Sequence, residues 1–348
     1  MKRVLMSENP LRKDINPFFR IVFGEPGFLS EVEVKPFRPG SFRPDAGNIH
    51  LHWLDWLLHS RFARRFETIA DLKYADLVRQ IDVVKRSGGR LIWTAHNVSP
   101  HDFASRKSEK VFGRWKDEIC SRIDTVVIMY PGAKQEILRT TPSLAAASFK
   151  VVPHPHYRDF FEPCNEDLSP RRELGIPENA FLVASVGHMR PYKQLPSLLR
   201  SFLAIAKEDE YLLLAGNCGE ELKQQLFTIA ANRKNIIFKF GHLSDSDYAC
   251  IVRDADLSAM NFGRVLNSGS VVASLSLNTP VLAPAKGALP HLQSQVGPGW
   301  LALFDDDLDE KSLRQSVDEI RSAEAKGPLD LSFASPAKVS QGYVDAYA

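Results

Sequence analysis

Two cations directly follow a predicted strand in the second half of the sequence. Arg190 and Lys193 come after the apolar run Phe181–Val186, with Gly187 before them and a proline between them. Residues in that place reach the carboxyl edge of a parallel sheet, where such sheets bind ligands. A planar guanidinium and a compact ammonium both suit the charge that develops on a departing diphosphate. The alternative is an ordinary solvated pair of basic side chains.

A run of small residues marks the start of a predicted helix further along the chain. Asn267, Ser268, Gly269 and Ser270 precede the apolar stretch VVASLSL. Without bulky side chains, the N–H groups of the first helical turn can approach a phosphate, and the helix dipole adds about 0.3–1 kcal/mol. A plain N-cap is the alternative, because Asn or Ser stabilises the start of any helix.

Histidines and carboxylates occupy the matching place in the first half. His96, His101 and Asp102 follow the predicted strand RLIWTA, and Asp55 follows HLHW. A carboxylate near a histidine can act as general base toward a hydroxyl group, which typically contributes ~10²–10⁴ in rate. Asp102 is our preferred base and Asp55 the second candidate. Capping of loops by Asp is the alternative.

Two further histidine pairs invite a metal-site interpretation. His50 and His52 form one pair, and His154 and His156 form the other. The pairs belong to separate segments with few acidic neighbours, whereas a metal-dependent hydrolase normally has carboxylates among its ligands. We therefore expect no metal centre and keep a hydrolase only as a rival.

The charge is distributed unevenly along the chain. The 348 residues have a formal net charge of +2, yet residues 1–150 hold 25 Lys and Arg against 17 Asp and Glu, and the remainder holds 19 against 25. The basic half is expected to face an anionic partner. No nucleic-acid-binding motif occurs, so a membrane surface or a phosphate-bearing acceptor fits at least as well.

A basic and aromatic segment could provide such a membrane contact. Arg61, Arg64 and Arg65 alternate with Phe62 and Phe66 at the head of a predicted amphipathic helix. Arginines beside aromatic rings can seat a helix among lipid headgroups. In the alternative interpretation, which we favour slightly, both phenylalanines face the core.

The cysteines and the hydropathy of the sequence indicate the cellular compartment in which the protein is expected. Cys120, Cys164, Cys218 and Cys250 lie far apart with no CxxC pair, which argues against a zinc knuckle or a disulfide framework and suits a reducing compartment. No stretch approaches the roughly 18 apolar residues of a spanning helix, and the N-terminal apolar run is too short for a signal peptide. We expect a cytoplasmic protein, or one that lies on a membrane without crossing it.

The elements that must position these residues alternate between strand and helix. Strands are predicted at 4–6, 48–53, 90–95, 125–129, 149–152, 181–186, 211–215, 236–240, 256–260 and 281–283. Helices are predicted at 16–23, 60–86, 132–138, 195–207, 220–232, 245–253, 268–277 and 311–323. This order is typical of α/β folds with parallel sheets.

The length and the order predict two Rossmann-like domains that face each other across a cleft. The first predicted domain covers residues 1–160 and the second covers residues 161–330, and residues 331–348 follow them. The polar stretch Pro163–Pro177 is the predicted linker. A single large doubly wound domain is the alternative.

These segments together resemble a known family, the inverting β-mannosyltransferases of xanthan-type exopolysaccharide assembly. The resemblance covers most of the chain. It includes VLMS with NPF, HLHW (50–53), HNVSPHD (96–102), HPHYRDFF (154–161), RPYK (190–193), AGN (215–217), NSGS (267–270), SLSLNTPVLAP (274–284) and VGPGW (296–300). Any one of these segments is weak evidence for the family, but so many segments in compatible order are specific to it.

The resemblance implies a GT-B glycosyltransferase, in which residues 1–160 are the acceptor-binding domain, residues 161–330 are the nucleotide-sugar-binding domain, and a C-terminal helix in 331–348 packs back on the first domain. It implies GDP-mannose as donor, a polyprenyl-diphosphate-linked oligosaccharide as acceptor, monotopic association with the inner face of the cytoplasmic membrane, and no requirement for a metal. The resemblance assigns Arg190 and Lys193 to the diphosphate, Ser268 and Gly269 to the phosphates at the helix start, and Asn217 to the nucleotide. Our further donor-binding candidates are Asn267, Ser270 and His242, the last at the base pocket. His96 would lie close to the transferred sugar, and His52, Trp53, His101 and His156 would contact the acceptor.

One departure from the wider GT-B group affects the nucleotide. Many retaining members carry two glutamates eight positions apart, and the second grips the ribose. Val265 and Ala273 stand at those places here, so the ribose contacts must come from other residues. The absence agrees with an inverting family. A transferase for another nucleotide sugar (a UDP-sugar or GDP-fucose), a GT-B-type epimerase and a non-catalytic partner protein remain rivals.

Overall fold

The computed structural model describes residues 1–10, 12, 16–37, 47–59, 66–97, 106–162, 164, 169–322 and 327–348. Within them the chain divides into two compact units. Unit 1 consists of Met1–Pro155 together with Phe333–Ala348, and unit 2 consists of His156–Ser332.

Unit 1 is built on a parallel sheet of six strands in the order β2-β1-β3-β4-β5-β6. The strands are β1 (Lys2–Met6), β2 (Val32–Pro36), β3 (Asn48–Leu51), β4 (Leu91–Thr94), β5 (Thr125–Ile128) and β6 (Ser148–Val151). The described helices between them are α1 (Pro17–Phe23), α2 (Pro26–Glu31), α3 (Glu67–Arg86), α4 (Arg106–Cys120) and α5 (Ala133–Thr140). Every residue of β4 and β5 is buried, as expected for central parallel strands covered on both faces.

Unit 2 repeats the plan with the strand order β12-β11-β10-β7-β8-β9, again all parallel. The strands are β7 (Phe181–Val186), β8 (Glu210–Gly216), β9 (Ile236–Phe240), β10 (Leu257–Ala259), β11 (Val281–Pro284) and β12 (Leu301–Phe304). The described helices are α6 (Pro170–Leu174), α7 (Leu195–Ile205), α8 (Glu220–Ala230), α9 (Asp245–Asp254), α10 (Gly269–Ser276), α11 (Leu289–Val296) and α12 (Glu310–Ser322).

The last helix, α13 (Pro336–Ala346), completes the core of unit 1 rather than that of unit 2. Its Tyr343 and Val339 are wholly buried against Phe18 and Phe23 of α1. Lys2 Nζ also donates to the carbonyl of Val344 at 3.0 Å. The C-terminal segment is therefore part of the hydrophobic core that supports the first sheet.

The structure corrects the predicted linker. The two units divide after Pro155, and helix α6 lies inside the stretch Pro163–Pro177. Proline and polar residues marked this stretch as a connection, but Pro170 stands in the first turn of α6, where its missing N–H costs nothing.

The structure also corrects the interpretation of the cysteines. Cys164 and Cys250 form a disulfide with their Cα atoms 5.5 Å apart, and Cys120 and Cys218 are free and buried. The bonded residues are 86 positions apart in sequence. Wide spacing therefore concealed a pair that only the folding of unit 2 brings together.

Replacing the buried ring of the C-terminal helix is expected to destabilise unit 1. Tyr343→Ala removes a fully buried aromatic side chain, and such changes cost about 3–5 kcal/mol. Four of the five tryptophans lie in unit 1, so denaturant titration followed by tryptophan emission measures the loss. Gln341→Ala, at an exposed position of the same helix, is the control and should change stability by less than about 0.5 kcal/mol. Equal losses in the two variants would contradict this packing.

Candidate active site

Lys193 is a buried cation at the carboxyl edge of the second sheet. It ends the short 3₁₀ turn Pro191–Lys193 that follows β7, and only 9% of it is exposed. Its ammonium group has no hydrogen bond or ion pair with any residue in the described parts of the chain. Burial alone lowers the pKa of this lysine to about 8. A buried charge without a partner is costly, which indicates a place for an anion.

Two glycines let the backbone close tightly around that lysine. Gly187 has a φ of +110°, and a Cβ on it would come within 3.5 Å of Lys193 Nζ. Gly216, at the end of β8, has a φ of +134°, and a Cβ there would lie 2.1 Å from the carbonyl oxygen of Gly187. Both positions therefore require a residue without a side chain.

The turn that carries Lys193 is anchored by the segment that follows β10. Gly263 N donates to the carbonyl of Tyr192 at 2.7 Å, and the Asn261 side chain donates to the carbonyl of Gln194 at 3.4 Å. Lys193 N itself donates to the carbonyl of Arg190 at 2.9 Å. These bonds fix the backbone of the turn from which the Lys193 side chain extends.

The run of small residues does form the start of a helix. Ser268 is the N-cap of α10, and its hydroxyl accepts a hydrogen bond from Val271 N at 3.3 Å. The capping role is therefore real. The next two backbone N–H groups, of Gly269 and Ser270, have no partner among the residues that the structure describes. They remain available to an anion, which a plain cap would not require.

Tyr248 of α9 joins these features and was not singled out from the sequence. Its ring carbon Cε2 would lie 4.0 Å from a Cβ on Gly187, and its phenol faces the hydroxyls of Ser270 and Ser274 on α10. Lys193 and the start of α10 therefore border the same small region of unit 2. No motif or spacing could have indicated Tyr248, because its role depends on how α9 lies between the two.

The other predicted donor residues lie around this region. Met189 N donates to the carbonyl of Asn217 at 2.8 Å, so Asn217 adjoins the turn, and Asn267 immediately precedes the cap. Burial first, and then the charges of Arg190, Lys193 and His242, lower the pKa of His188. Arg190 and His242 therefore lie near the same turn, and both are exposed.

Unit 1 presents a cluster of histidines at the carboxyl edge of its own sheet. His52 Nδ1 and His96 Nε2 are 2.9 Å apart, and the ring of Trp53 stacks on His96 with centroids 4.6 Å apart. Phe18 makes edge contacts with His96 at 4.9 Å and with His154 at 5.4 Å. His154, which was considered only as a possible metal ligand, thus belongs to this cluster.

Burial keeps the cluster neutral. It lowers the pKa of His50 and of His96 to about 3 and that of His154 to about 4, and it lowers the pKa of His52 well below its usual range. The hydrogen bond between His52 and His96 therefore joins two uncharged imidazoles. Neutral rings suit hydrogen bonding to sugar hydroxyls better than binding of an anion.

Of the remaining predicted residues, one lies in unit 1, one lies in unit 2, and two lie outside the described residues. Asp55 is buried in the turn after β3, where it contributes to raising the pKa of Tyr74. His101 and Asp102 lie outside the described residues, and Asp102 stays a predicted base. His156 was assigned to the first domain, but it is the first residue of unit 2, buried, with Nδ1 accepting from Arg158 N at 3.4 Å.

No group of three or more His, Cys, Asp or Glu side chains in the described residues could hold a metal ion. No helix in these parts of the chain is long and apolar enough to cross a bilayer.

Comparison with known proteins gives the class. No protein-family model matches the chain. Two relatives from Xanthomonas campestris pv. campestris, both named GDP-mannose:glycolipid 4-beta-D-mannosyltransferase, are 26% and 27% identical to it over 302 residues, which is 86% of this chain and 78% of each relative. Sucrose-phosphate synthase from Thermosynechococcus elongatus has 14% identity and a TM-score of 0.64. Anabaena HepE in complex with UDP and glucose has 15% identity and a TM-score of 0.62. Each of these two matches covers all of this chain and 95% of the solved chain.

The predicted fold class is confirmed, because two parallel six-stranded sheets and these neighbours define the GT-B architecture. The chain is a glycosyltransferase. The resemblance to the mannosyltransferases of xanthan-type assembly, predicted from the motifs, is confirmed by the two Xanthomonas relatives.

The neutral histidines predict a loss of stability in acid. The folded chain keeps His50 unprotonated down to about pH 3, whereas the unfolded chain protonates it below pH 6.5. The free energy of unfolding should therefore be unaffected by this histidine above pH 6.5 and fall by about 1.4 kcal/mol per pH unit below it.

Denaturant titrations of the wild type and of His50→Gln at pH 7.5, 6 and 5 measure this contribution. The variant should lose about 1.4 kcal/mol less per pH unit than the wild type between pH 6 and pH 5. Parallel stability curves for the two proteins would show that His50 is already charged in the folded state.

Proposed function

We propose that the chain is an inverting glycosyltransferase that moves mannose from GDP-mannose to a polyprenyl-diphosphate-linked oligosaccharide in exopolysaccharide biosynthesis. The names of the two Xanthomonas relatives, which specify GDP-mannose and a glycolipid, support the donor and the acceptor class. The observation that carries the proposal is the buried Lys193, which lacks any partner in the described parts of the chain and borders the same region as the start of α10.

The proposed reaction is a single displacement. An acceptor oxygen forms a bond to the anomeric carbon of mannose while the bond from that carbon to the diphosphate breaks, so GDP leaves from the opposite face. Asp102 takes the proton of the acceptor hydroxyl. Arg190, Lys193 and the N–H groups of Gly269 and Ser270 stabilise the charge that develops on the departing diphosphate, and no metal ion is required.

The pKa of Lys193 suits this role. A lysine with a pKa of about 8 is mostly protonated at neutral pH, and a bound diphosphate would hold it in the charged form. Because the ammonium group is already desolvated, its attraction to the diphosphate is stronger than that of a solvated lysine. The backbone bonds that fix the turn mean that little reorganisation is needed in the transition state.

The acceptor is assigned to unit 1. The neutral His52–His96 pair and the face of Trp53 combine polar groups with an apolar wall, as sites for small molecules commonly do. His96 would contact the transferred sugar, and His52, Trp53 and His101 the acceptor. His156, the first residue of unit 2, stays a proposed contact of the acceptor.

Attachment to the cytoplasmic membrane as a peripheral protein is proposed for the same unit. Phe66 and Leu72, near the start of α3, are 45% and 70% exposed. Phe66 therefore does not face the core, contrary to the interpretation that the sequence slightly favoured, whereas Phe62 and the arginines at 61, 64 and 65 lie outside the described residues. Exposed apolar side chains in the more basic half of the chain fit a lipid-carried acceptor.

Neutralising Lys193 should weaken donor binding. Lys193→Met removes a desolvated hydrogen bond between charged groups, so the affinity for GDP in calorimetry should fall about 10- to 100-fold and turnover by about 10²–10³. Lys234→Met, at an exposed position of unit 2, is the matched control. Wild-type affinity and turnover in Lys193→Met would remove this residue from the mechanism, and tighter binding of UDP than GDP by the wild type would change the donor.

A pair of carboxylate variants tests the base. Asp102→Asn should abolish mannose transfer while GDP binding is retained, because the base acts on the acceptor and not on the donor. Asp55→Asn should keep most of the activity. The opposite pattern would give the role to Asp55, and release of an isomerised nucleotide sugar without acceptor would favour an epimerase.

A further inference from the structure

The region between Lys193 and α10 contains a tyrosine whose ring contacts Phe161 and approaches Gly187. Tyr248 stacks on Phe161 with centroids 5.8 Å apart and planes 19° apart, and its Cε2 edge approaches Gly187. Helix α9 begins just before it with a capping box, in which the Ser244 hydroxyl accepts from Asp247 N at 3.0 Å. The position of the phenol is therefore set by packing and by the start of its own helix.

The phenol meets two hydroxyls on one face of α10. Ser270 and Ser274 are four positions apart, so their side chains lie one above the other on that helix. Ser274 is wholly buried, and its hydroxyl lies beside the phenol without a well-aligned hydrogen-bond partner in the described part of the chain. Burial raises the pKa of Tyr248 to about 12, so this is a cluster of three uncharged hydroxyls.

The three hydroxyls suit one part of the donor, and the cations suit another part. Lys193 and the N–H groups of Gly269 and Ser270 supply what a diphosphate needs. A pair of neighbouring hydroxyls on a sugar instead needs groups that both donate and accept hydrogen bonds, as Tyr and Ser do. In a nucleoside diphosphate the ribose is bonded directly to the phosphates, so its hydroxyls must be held a short distance from the phosphate site.

The carboxylate that grips the ribose in many retaining GT-B enzymes has no counterpart here. Ala273 occupies its place on α10, between the two serines, and its methyl group cannot bind a hydroxyl. Val265 at the other glutamate position is equally unsuited. A nucleotide held by Lys193 and α10 therefore needs ribose contacts from another element, and α9 places Tyr248 beside the same face.

We propose that Tyr248, together with Ser270, hydrogen-bonds the ribose hydroxyls of the nucleoside diphosphate donor in place of the missing carboxylate. This inference rests on the proposed function, because it assumes that a nucleotide sugar occupies unit 2. It does not depend on the base of the nucleotide or on the transferred sugar.

Tyr248→Phe removes only the hydroxyl and tests the contact. Calorimetry should show an affinity for GDP about tenfold lower than that of the wild type, the effect of one lost hydrogen bond in a buried site. The affinity for 2′,3′-dideoxy-GDP, which has no ribose hydroxyls, should be the same in both proteins within about twofold. Ser270→Ala should show the same selectivity.

Two outcomes would overturn the proposal. Equal losses for GDP and its dideoxy analogue would show that Tyr248 touches the phosphates or only supports the fold, and unchanged affinity for both would show that it makes no contact. Tyr211→Phe, at the amino end of β8, is the matched control and should leave both affinities unchanged. If the wild type binds UDP instead of GDP, the same comparison applies with UDP and 2′,3′-dideoxy-UDP; if it binds neither, the proposed function itself fails.

Discussion

An ammonium group buried without a carboxylate is the constraint on which the candidate site of unit 2 depends. Lys193 loses hydration on burial, and no acidic residue in the described ranges compensates it, so its pKa falls to about 8. The surrounding backbone is nevertheless fixed by Gly263 and closed by two glycines with positive φ. A fold tolerates such a group when a ligand completes it, because the interaction with an anion offsets the desolvation.

Unit 1 also buries polar side chains, but its buried histidine rings are uncharged, unlike the ammonium group of unit 2. His50 is bonded on both sides, to the Tyr347 hydroxyl at 2.6 Å and to the Thr94 hydroxyl at 2.8 Å. Tyr347 follows the C-terminal helix, so the last residues of the chain help to support the histidine cluster near its beginning. A cationic site in one unit and a neutral, aromatic site in the other match the chemical difference between a diphosphate and a sugar.

Much of the fold could be predicted because its central strands carry strong local signals. The apolar runs of β4, β5, β7 and β8 are buried on both faces of their sheets, which makes them recognisable without any tertiary information. The edge strands β2 and β12 were missed, because short strands that pair on one side need less apolar sequence. Helix α4 was missed because its charged residues outnumber its apolar ones.

The sequence by itself determined the fold class, the place of the two cations after β7 and the small residues at the start of α10, since each follows from residue types over a few consecutive positions. Only the tertiary structure decided which distant residues meet. Tyr248 lies beside Gly187, Cys164 bonds to Cys250, and His154 rather than His156 joins the histidine cluster. Such contacts depend on how helices cross a sheet, and the spacing of residues along a chain does not contain that geometry.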